Sequence, residues 1–243
     1  MNKQILCFGD SNTYGLRPDG KGRYSWGVRW TSLVQEQVAS LGYRIIEEGL
    51  CGRTTIFEDA YRPGRKGDAL LPAILESHAP LDTVVLMLGT NDCKTAYGAD
   101  AAAIGGGIRT LLEQIRRITP DSKILLLSPI YLGKEVWKKQ YDPEFCLHSV
   151  QVSKDLEAEY EKVAKQYGAF FMRAADYARC SVTDQEHLDE IGHARLAQAI
   201  TDKLLNEVLP EEEYDSRMRR EHRGYDIIAT KIFYHGGRIC IGE

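Results

Sequence analysis

The chain has 243 residues, a net charge of −4 at pH 7 and 43% hydrophobic residues, a composition typical of a globular protein with a sizeable core. This charge balance gives no electrostatic footprint for nucleic acid, and no apolar run approaches the roughly 20 residues that cross a bilayer. We therefore expect neither a nucleic-acid partner nor a membrane partner.

The first residues and the cysteines both favour a cytoplasmic location. The chain goes directly into a strand-like run, without the basic region and apolar stretch of a secretory signal. Six cysteines stand at 7, 51, 93, 146, 180 and 240. None forms a C-x-x-C pair or lies near a histidine at zinc-ligand spacing, so we predict buried or unpaired thiols and no metal.

Strand-like runs alternate with segments of helical periodicity along the chain. Turn residues bound the predicted strands, which lie at 4–8, 44–47, 83–88, 124–127 and 169–172. Apolar residues spaced for one buried helical face predict helices between them, at 30–41, 104–118, 152–167 and about 191–208. This alternation predicts an α/β fold with a parallel sheet covered on both faces.

Two regions interrupt the alternation. The connection 129–149 is rich in aromatic residues and lysine; an active-site flap and a surface excursion packed by its own aromatics are both open. Beyond a first domain at 1–210, the extension 211–243 holds an acidic run, a basic cluster that we interpret as a solvated face, and a hairpin signal around 235–237. Because an isolated hairpin is marginal in water, we expect it to pack on a sheet edge or on a neighbouring subunit of a homo-oligomer.

Three short stretches combine the residue types of nucleophilic catalysis. They are Gly-Asp-Ser-Asn at 9–12, Gly-Thr-Asn-Asp at 89–92 and Asp-Gln-Glu-His at 184–187. The first two follow predicted strands, and the third precedes the last predicted helix. Open parallel sheets bind ligands beyond the carboxyl ends of their strands, near a switch in strand order. We therefore expect the three stretches to meet at that edge.

A serine, a histidine and an aspartate are predicted to act together. Asp184 and His187 lie three residues apart, so both side chains can face the same way in a tight turn. The carboxylate can then accept a hydrogen bond from one ring nitrogen and leave the other free to take a proton from Ser11. We predict Ser11 as the nucleophile, His187 as the general base and Asp184 as the residue that orients the imidazole.

Three donors are predicted to stabilise the oxyanion that forms when a serine attacks an ester carbonyl. The backbone N–H of Ser11 and the side-chain amide of Asn91 can supply two of them. Gly52 follows the second predicted strand, and its backbone N–H can approach closely because no Cβ is in the way.

Neighbouring residues are assigned supporting roles. Asp10 is predicted to bond backbone N–H groups and to hold the turn in place, and Asp92 is predicted to be a turn or helix-start residue. Tyr14 and Trp26 lie close enough to Ser11 in sequence to line a substrate pocket.

The motifs together strongly resemble those of the SGNH (GDSL-type) hydrolases. That family's four blocks centre on a serine, a glycine, an asparagine and a histidine, which Ser11, Gly52, Asn91 and His187 match in order, and Asp184 matches the triad acid. The resemblance covers roughly 1–210 and is closest to the bacterial arylesterase/acyltransferase branch. The stretches that carry this closer similarity are VRWTSLVQEQ, IIEEGLCGRTT and PLDTVVLMLGTNDCK.

The resemblance implies a three-layer α/β/α flavodoxin-like fold with a five-stranded parallel sheet. It also implies a serine esterase that acts on small-molecule acyl esters without a metal or another cofactor, and some members of that branch transfer the acyl group to alcohols. The histidine block departs from many relatives, because Gln185 and Glu186 stand where they carry a glycine, and Leu188 follows the histidine instead of a proline.

Other functions remain open at this stage. A sugar O-acetylesterase or an acyltransferase could use the same residues. A non-catalytic flavodoxin-like module that binds a phosphorylated ligand is a third alternative. The carboxylate of Asp10 would oppose a bound phosphate, and a binding module has no need of Asp184 beside His187.

Overall fold

A computed structural model describes residues 3–209, 232–235 and 238–241 of the chain. Five strands form a single all-parallel sheet in the order β2-β1-β3-β4-β5. These strands are β1 (Lys3–Gly9), β2 (Tyr43–Gly49), β3 (Thr83–Met87), β4 (Lys123–Ser128) and β5 (Phe170–Arg173). Each predicted strand is confirmed to within two residues at either end.

The strand order reverses between β1 and β3. The chain passes from β1 to β2, which lies on one side of β1, and then crosses to β3, which lies on the other side of β1. Gly9 at the end of β1 pairs in register with Met87 at the end of β3. The carboxyl ends of these two strands therefore border the crevice in which such sheets bind ligands.

Helices cover both faces of the sheet. They are α1 (Ser11–Tyr14), α2 (Trp30–Val38), α3 (Gly67–His78), α4 (Ala101–Ile118), α5 (Leu147–Tyr167) and α6 (Glu190–Lys203). Leu6 and Phe8 of β1 belong to the core that α3, α4 and α5 cover, whereas Ile5 and Cys7 point to the core beneath α2 and α6. This alternation along one strand confirms the predicted three-layer α/β/α fold.

The helix α3 was missing from the sequence prediction. Pro72 lies inside it, and an interior proline ordinarily argues against a helix because it removes one hydrogen bond and crowds the preceding turn. Leu71 and Leu75 are fully buried in the core that lies beneath α3, α4 and α5. Burial of these side chains offsets the unfavourable local propensity.

The end of the last helix and the long connection also differ in detail from their predictions. The helix α6 ends at Lys203 and continues as a π-helical turn at Leu204–Val208. The connection after β4 buries Ile130, Leu132, Val136 and Phe145, and α5 already begins at Leu147. In the described part of the chain, no helix is both long enough and apolar enough to cross a membrane.

Two short strands lie near the end of the chain. β6 (Ile232–His235) and β7 (Arg238–Ile241) pair antiparallel with each other, with His235 opposite Arg238. The strand pairing predicted around 235–237 is therefore present. The acidic run and the basic cluster of the extension lie outside the described residues, and the expected contact with a neighbouring subunit stays a prediction.

Candidate active site

Ser11 is held at the end of β1 by a tight turn. Asp10 caps the short helix α1, and its Oδ1 accepts a hydrogen bond from the N–H of Asn12 at 3.0 Å. A Cβ at Gly9 would come within 2.1 Å of Thr13 Oγ1 and 2.8 Å of the carbonyl oxygen of Met87. A glycine is thus required where β1 turns into α1, and the carboxyl group of Asp10 has the structural hydrogen bond that the sequence predicted.

Ser11, His187 and Asp184 form a continuous hydrogen-bonded chain. Ser11 Oγ lies 2.8 Å from His187 Nε2, and His187 Nδ1 lies 2.7 Å from Asp184 Oδ2. Because an ionised carboxylate can only accept, Nδ1 carries the ring proton and Nε2 can accept the serine proton. Ser11 and His187 are 3% and 8% exposed, so little solvent competes for this bond.

The loop before α6 is built to fix the histidine. Asp184 Oδ1 accepts hydrogen bonds from the N–H groups of Glu186 and His187, each at 3.0 Å. Gln185, which lies between Asp184 and Glu186, has a φ of +66°, a left-handed conformation that a glycine adopts more readily. The N–H of Leu188 donates to Asn12 Oδ1 at 2.9 Å, which ties this loop directly to the turn that carries Ser11.

Asn91 and Gly52 approach the same point from β3 and β2. The side-chain nitrogen of Asn91 donates one hydrogen bond to the carbonyl oxygen of Arg53 at 3.1 Å, which leaves its second N–H for a ligand. Gly52 has a φ of +80°, and a Cβ there would come within 3.1 Å of the Arg62 guanidinium group. Its N–H makes no hydrogen bond within the described residues.

One cavity connects these groups. It has a volume of about 480 Å³, and Ser11, Gly52, Asn91 and His187 all line it. Part of the wall comes from the connection after β4, since residues 142–144 face the cavity. The connection thus contributes both to the cavity wall and, through Phe145, to the buried core.

Residues 7–195 match the family model described as the GDSL-like lipase/acylhydrolase family, which spans well over half of the chain. The chain belongs to this family. The similarity to the GDSL-type hydrolases inferred from the motifs is therefore confirmed, and family membership supports ester hydrolysis as the general activity.

Two solved structures of esterases are similar to this protein over most of its chain. Est24, a carbohydrate acetylesterase from Sinorhizobium meliloti, is 33% identical with a TM-score of 0.76, and the match covers 83% of this chain and 98% of that one. The M. smegmatis aryl esterase is 31% identical with a TM-score of 0.76, and the match covers 85% of this chain and all of that one. Among curated proteins, no sequence matches the chain.

Two predicted substrate contacts of this GDSL-like protein are not brought to the cavity. Tyr14 and Trp26 are absent from its lining, and Leu16 and Cys51 stand there instead. The guanidinium group of Arg23 lies 4.4 Å from the centre of the Tyr14 ring, and Trp26 is 55% exposed. Closeness in sequence to Ser11 misled the prediction, because Leu16 lines the cavity while the side chains of Tyr14 and Trp26 lie outside its lining.

Five charged side chains line the cavity besides His187, and the sequence analysis did not predict this charged lining. They are Arg62, Lys94, Asp142, Glu144 and Glu186. Lys94 is buried and pairs with Glu144 of the connection. Arg62 lies in the irregular loop after β2, where no motif marks it. An acid directly before the histidine of the third motif was the one visible signal for Glu186.

The histidine is electrostatically tuned by two carboxylates. Burial lowers the pKa of His187, but Glu186 and Asp184 outweigh this effect and raise its pKa to about 9. Burial raises the pKa of Glu186, whose Oε1 lies 3.8 Å from His187 Nε2. The two groups stabilise each other's charged forms across this distance.

Other buried ionisable groups support the site from behind. Asp92 Oδ1 accepts hydrogen bonds from the N–H of Thr55, at 2.9 Å, and from its hydroxyl, which ties the β3 turn to the β2 loop. Burial raises the pKa of Asp92 to about 6. Arg53 is buried and donates a hydrogen bond to the carbonyl oxygen of Gly9 at 2.9 Å, and its guanidinium group lies 4.0 Å from the centre of the Phe8 ring.

Proposed function

We propose that the protein is a serine carboxylesterase that cleaves small acyl esters. The observation that supports this most directly is the hydrogen-bonded chain from Ser11 through His187 to Asp184, with Ser11 at the wall of a cavity. Family membership supports the same general chemistry.

In the first half of the reaction, Ser11 Oγ attacks the carbonyl carbon as its proton passes to His187 Nε2. The negative charge on the carbonyl oxygen is stabilised by the N–H groups of Ser11 and Gly52 and by the free N–H of Asn91. The bond from the carbonyl carbon to the alkoxy oxygen then breaks. That oxygen takes the proton from Nε2 and leaves as the alcohol.

In the second half, a water molecule takes the position that the alcohol has vacated. It gives a proton to Nε2 and attacks the acyl-serine, and the oxyanion forms again in the same place. Breaking the bond to Ser11 Oγ returns the proton from Nε2 to the serine and releases the carboxylic acid. Asp184 remains ionised throughout and stabilises the imidazolium.

A substitution at Ser11 tests this proposal. Ser11→Ala removes the nucleophile, and we expect its kcat for p-nitrophenyl acetate to fall by at least about 10⁴-fold, as for other triad serines. Ser77→Ala is the matched control, because Ser77 lies exposed near the end of α3, and it should retain wild-type turnover. Turnover by Ser11→Ala at the wild-type rate would rule the assignment out.

A sugar O-acetylesterase is a second candidate on the same residues. The charged lining favours it, because carboxylate and guanidinium groups suit a polyhydroxylated alcohol better than an aliphatic one. The similarity to Est24, a carbohydrate acetylesterase, also supports it. Acyl transfer to an alcohol is a variant of the second half-reaction, in which an alcohol takes the place of water.

A substrate panel separates these candidates. We expect higher kcat/KM for acetylated monosaccharides than for ethyl acetate if the charged lining contacts the alcohol. A higher value for ethyl acetate would reject the sugar candidate. Added alcohol that gives a new ester at the expense of acetate would support acyl transfer, and acetate release alone would reject it.

A further inference from the structure

The carboxylate of Glu186 lies in the wall of the cavity, next to His187. Glu186 is 8% exposed, yet within the described residues no donor gives its side chain a hydrogen bond. The other carboxylates here are held: Asp184 by three N–H groups, Glu144 by Lys94, and Asp142 by the N–H of Glu144 at 2.9 Å. The charge of Glu186 is paired with His187 across 3.8 Å, and its oxygens are free to accept a hydrogen bond from a ligand in the cavity that they line.

The position of this carboxylate is defined by the catalytic histidine. Glu186 Oε1 lies 3.8 Å from His187 Nε2, which is too far for a direct hydrogen bond. In the proposed reaction, Nε2 touches the alkoxy oxygen of the ester. The separation of Oε1 from Nε2 leaves room for a second hydroxyl group of the substrate, on the carbon next to the one that carries the alkoxy oxygen. This hydroxyl group would donate to Glu186 as an ordered water molecule could.

We propose that Glu186 is a specificity-determining residue that accepts a hydrogen bond from a hydroxyl group on the carbon next to the esterified one. The preferred substrates are then acyl esters of vicinal diols and polyols. This inference rests on the proposed esterase function. The neighbouring hydroxyl keeps its proton throughout, and only the alkoxy oxygen receives the proton from Nε2.

A cationic alcohol fits the cavity less well than a hydroxylated one. Arg62 and Lys94 line the same space and offset two of its three carboxylate charges. Their own partners are Asp59 at 2.8 Å for Arg62 and Glu144 for Lys94, so neither cation is the donor that Glu186 lacks. A neutral hydroxyl satisfies Glu186 without opposing these two charges.

The test compares two esters that differ in one donor. These are 2-hydroxyethyl acetate and 2-methoxyethyl acetate, whose alcohols have similar leaving ability, with each rate divided by that of hydroxide-catalysed hydrolysis. We expect the wild-type enzyme to prefer the hydroxyl ester by about 10-fold or more in kcat/KM, which is the discrimination typical of one hydrogen bond to a charged group. Because the ratio compares two substrates on one enzyme, any common effect on the triad cancels.

Variants assign the preference to the residue. Glu186→Leu should lower the ratio to about 1, and Glu186→Gln, which keeps a neutral acceptor, should leave about 3-fold. Asp142→Asn, a change of equal size on another carboxylate of the cavity, should retain the wild-type ratio. The inference would be overturned if the wild-type enzyme showed a hydroxyl-to-methoxy ratio of kcat/KM near 1. It would also be overturned if the wild type, Glu186→Gln and Glu186→Leu all showed the same ratio.

Two further outcomes separate this inference from the function on which it rests. Ser11-dependent turnover of p-nitrophenyl acetate with a wild-type ratio near 1 would reject the role of Glu186 alone. Full turnover by Ser11→Ala would reject the esterase assignment itself. A Glu186-dependent preference for acetylcholine over 2-hydroxyethyl acetate would show that the residue selects a cationic alcohol, and it would also overturn the proposal.

Discussion

At the scale of single residues, the proton affinity of His187 is the property on which the proposed chemistry depends. The imidazole must be neutral to accept the proton of Ser11. The carboxylates of Glu186 and Asp184 stabilise the imidazolium more than burial destabilises it, and the pKa is raised. The same charges that stabilise the transition state therefore keep the free base scarce at neutral pH.

This balance predicts a pH dependence. The kcat/KM for p-nitrophenyl acetate should rise with pH, with a midpoint above the usual histidine pKa of about 6.5. In Glu186→Gln, one negative charge next to the ring is lost, so the pKa of His187 falls and the midpoint should move to lower pH. Initial rates between pH 5 and pH 10, corrected for spontaneous hydrolysis, measure both curves. Identical midpoints in the two enzymes would contradict this account, and Asp142→Asn serves as the charge-matched control.

At the scale of elements, close contacts between a helix and a loop set the geometry behind the site. Three consecutive glycines, at 105–107, lie inside α4. A Cβ at Gly107 would come within 2.1 Å of Thr55 Oγ1, whereas a Cβ at Gly106 meets nothing within 4 Å. Thr55 is the residue that binds Asp92 in the β3 turn, so this contact lies directly behind Asn91.

Adjacent glycines in one helix therefore give a matched pair of substitutions. Gly106→Ala should raise the free energy of unfolding by about 0.5–1 kcal/mol, because alanine restricts the unfolded chain and favours the helix. Gly107→Ala should lower it by about 1–3 kcal/mol, the usual effect of overpacking, and should also reduce kcat through Thr55 and Asp92. Urea denaturation measures both free energies. A loss of stability in Gly106→Ala equal to that in Gly107→Ala would contradict the packing described for α4.

At the scale of the whole molecule, the sheet brings together residues that are far apart in the chain. Ser11 and His187 are separated by 176 positions, and they meet because β1 ends at the switch in strand order while the loop before α6 bonds to Asn12. The five strands and the three stretches of the proposed site could be predicted from sequence, since each carries its own local pattern. Strand-like runs bounded by turn residues indicate the strands, and the residue types within the three stretches indicate the proposed triad.

What the sequence could not predict depends on contacts between distant segments. The helix α3 is stabilised by burial of Leu71 and Leu75 in spite of Pro72, and local propensity does not contain that burial. The cavity wall includes Arg62 and Glu144 because two irregular connections meet there, whereas Tyr14 and Trp26 were assigned to it by proximity in sequence alone. Irregular loops carry no periodic signal from which their meeting could be inferred.

The most direct test of the central claim is covalent labelling of the nucleophile. Incubation with an activated organophosphate ester, followed by intact mass and peptide analysis, identifies the group that attacks. We predict one phosphoryl group per chain, attached to Ser11, with loss of esterase activity in step with labelling and no labelling of Ser11→Ala. Inactivation that leaves Ser11 unmodified, or a label on another residue such as Cys51, would contradict the account.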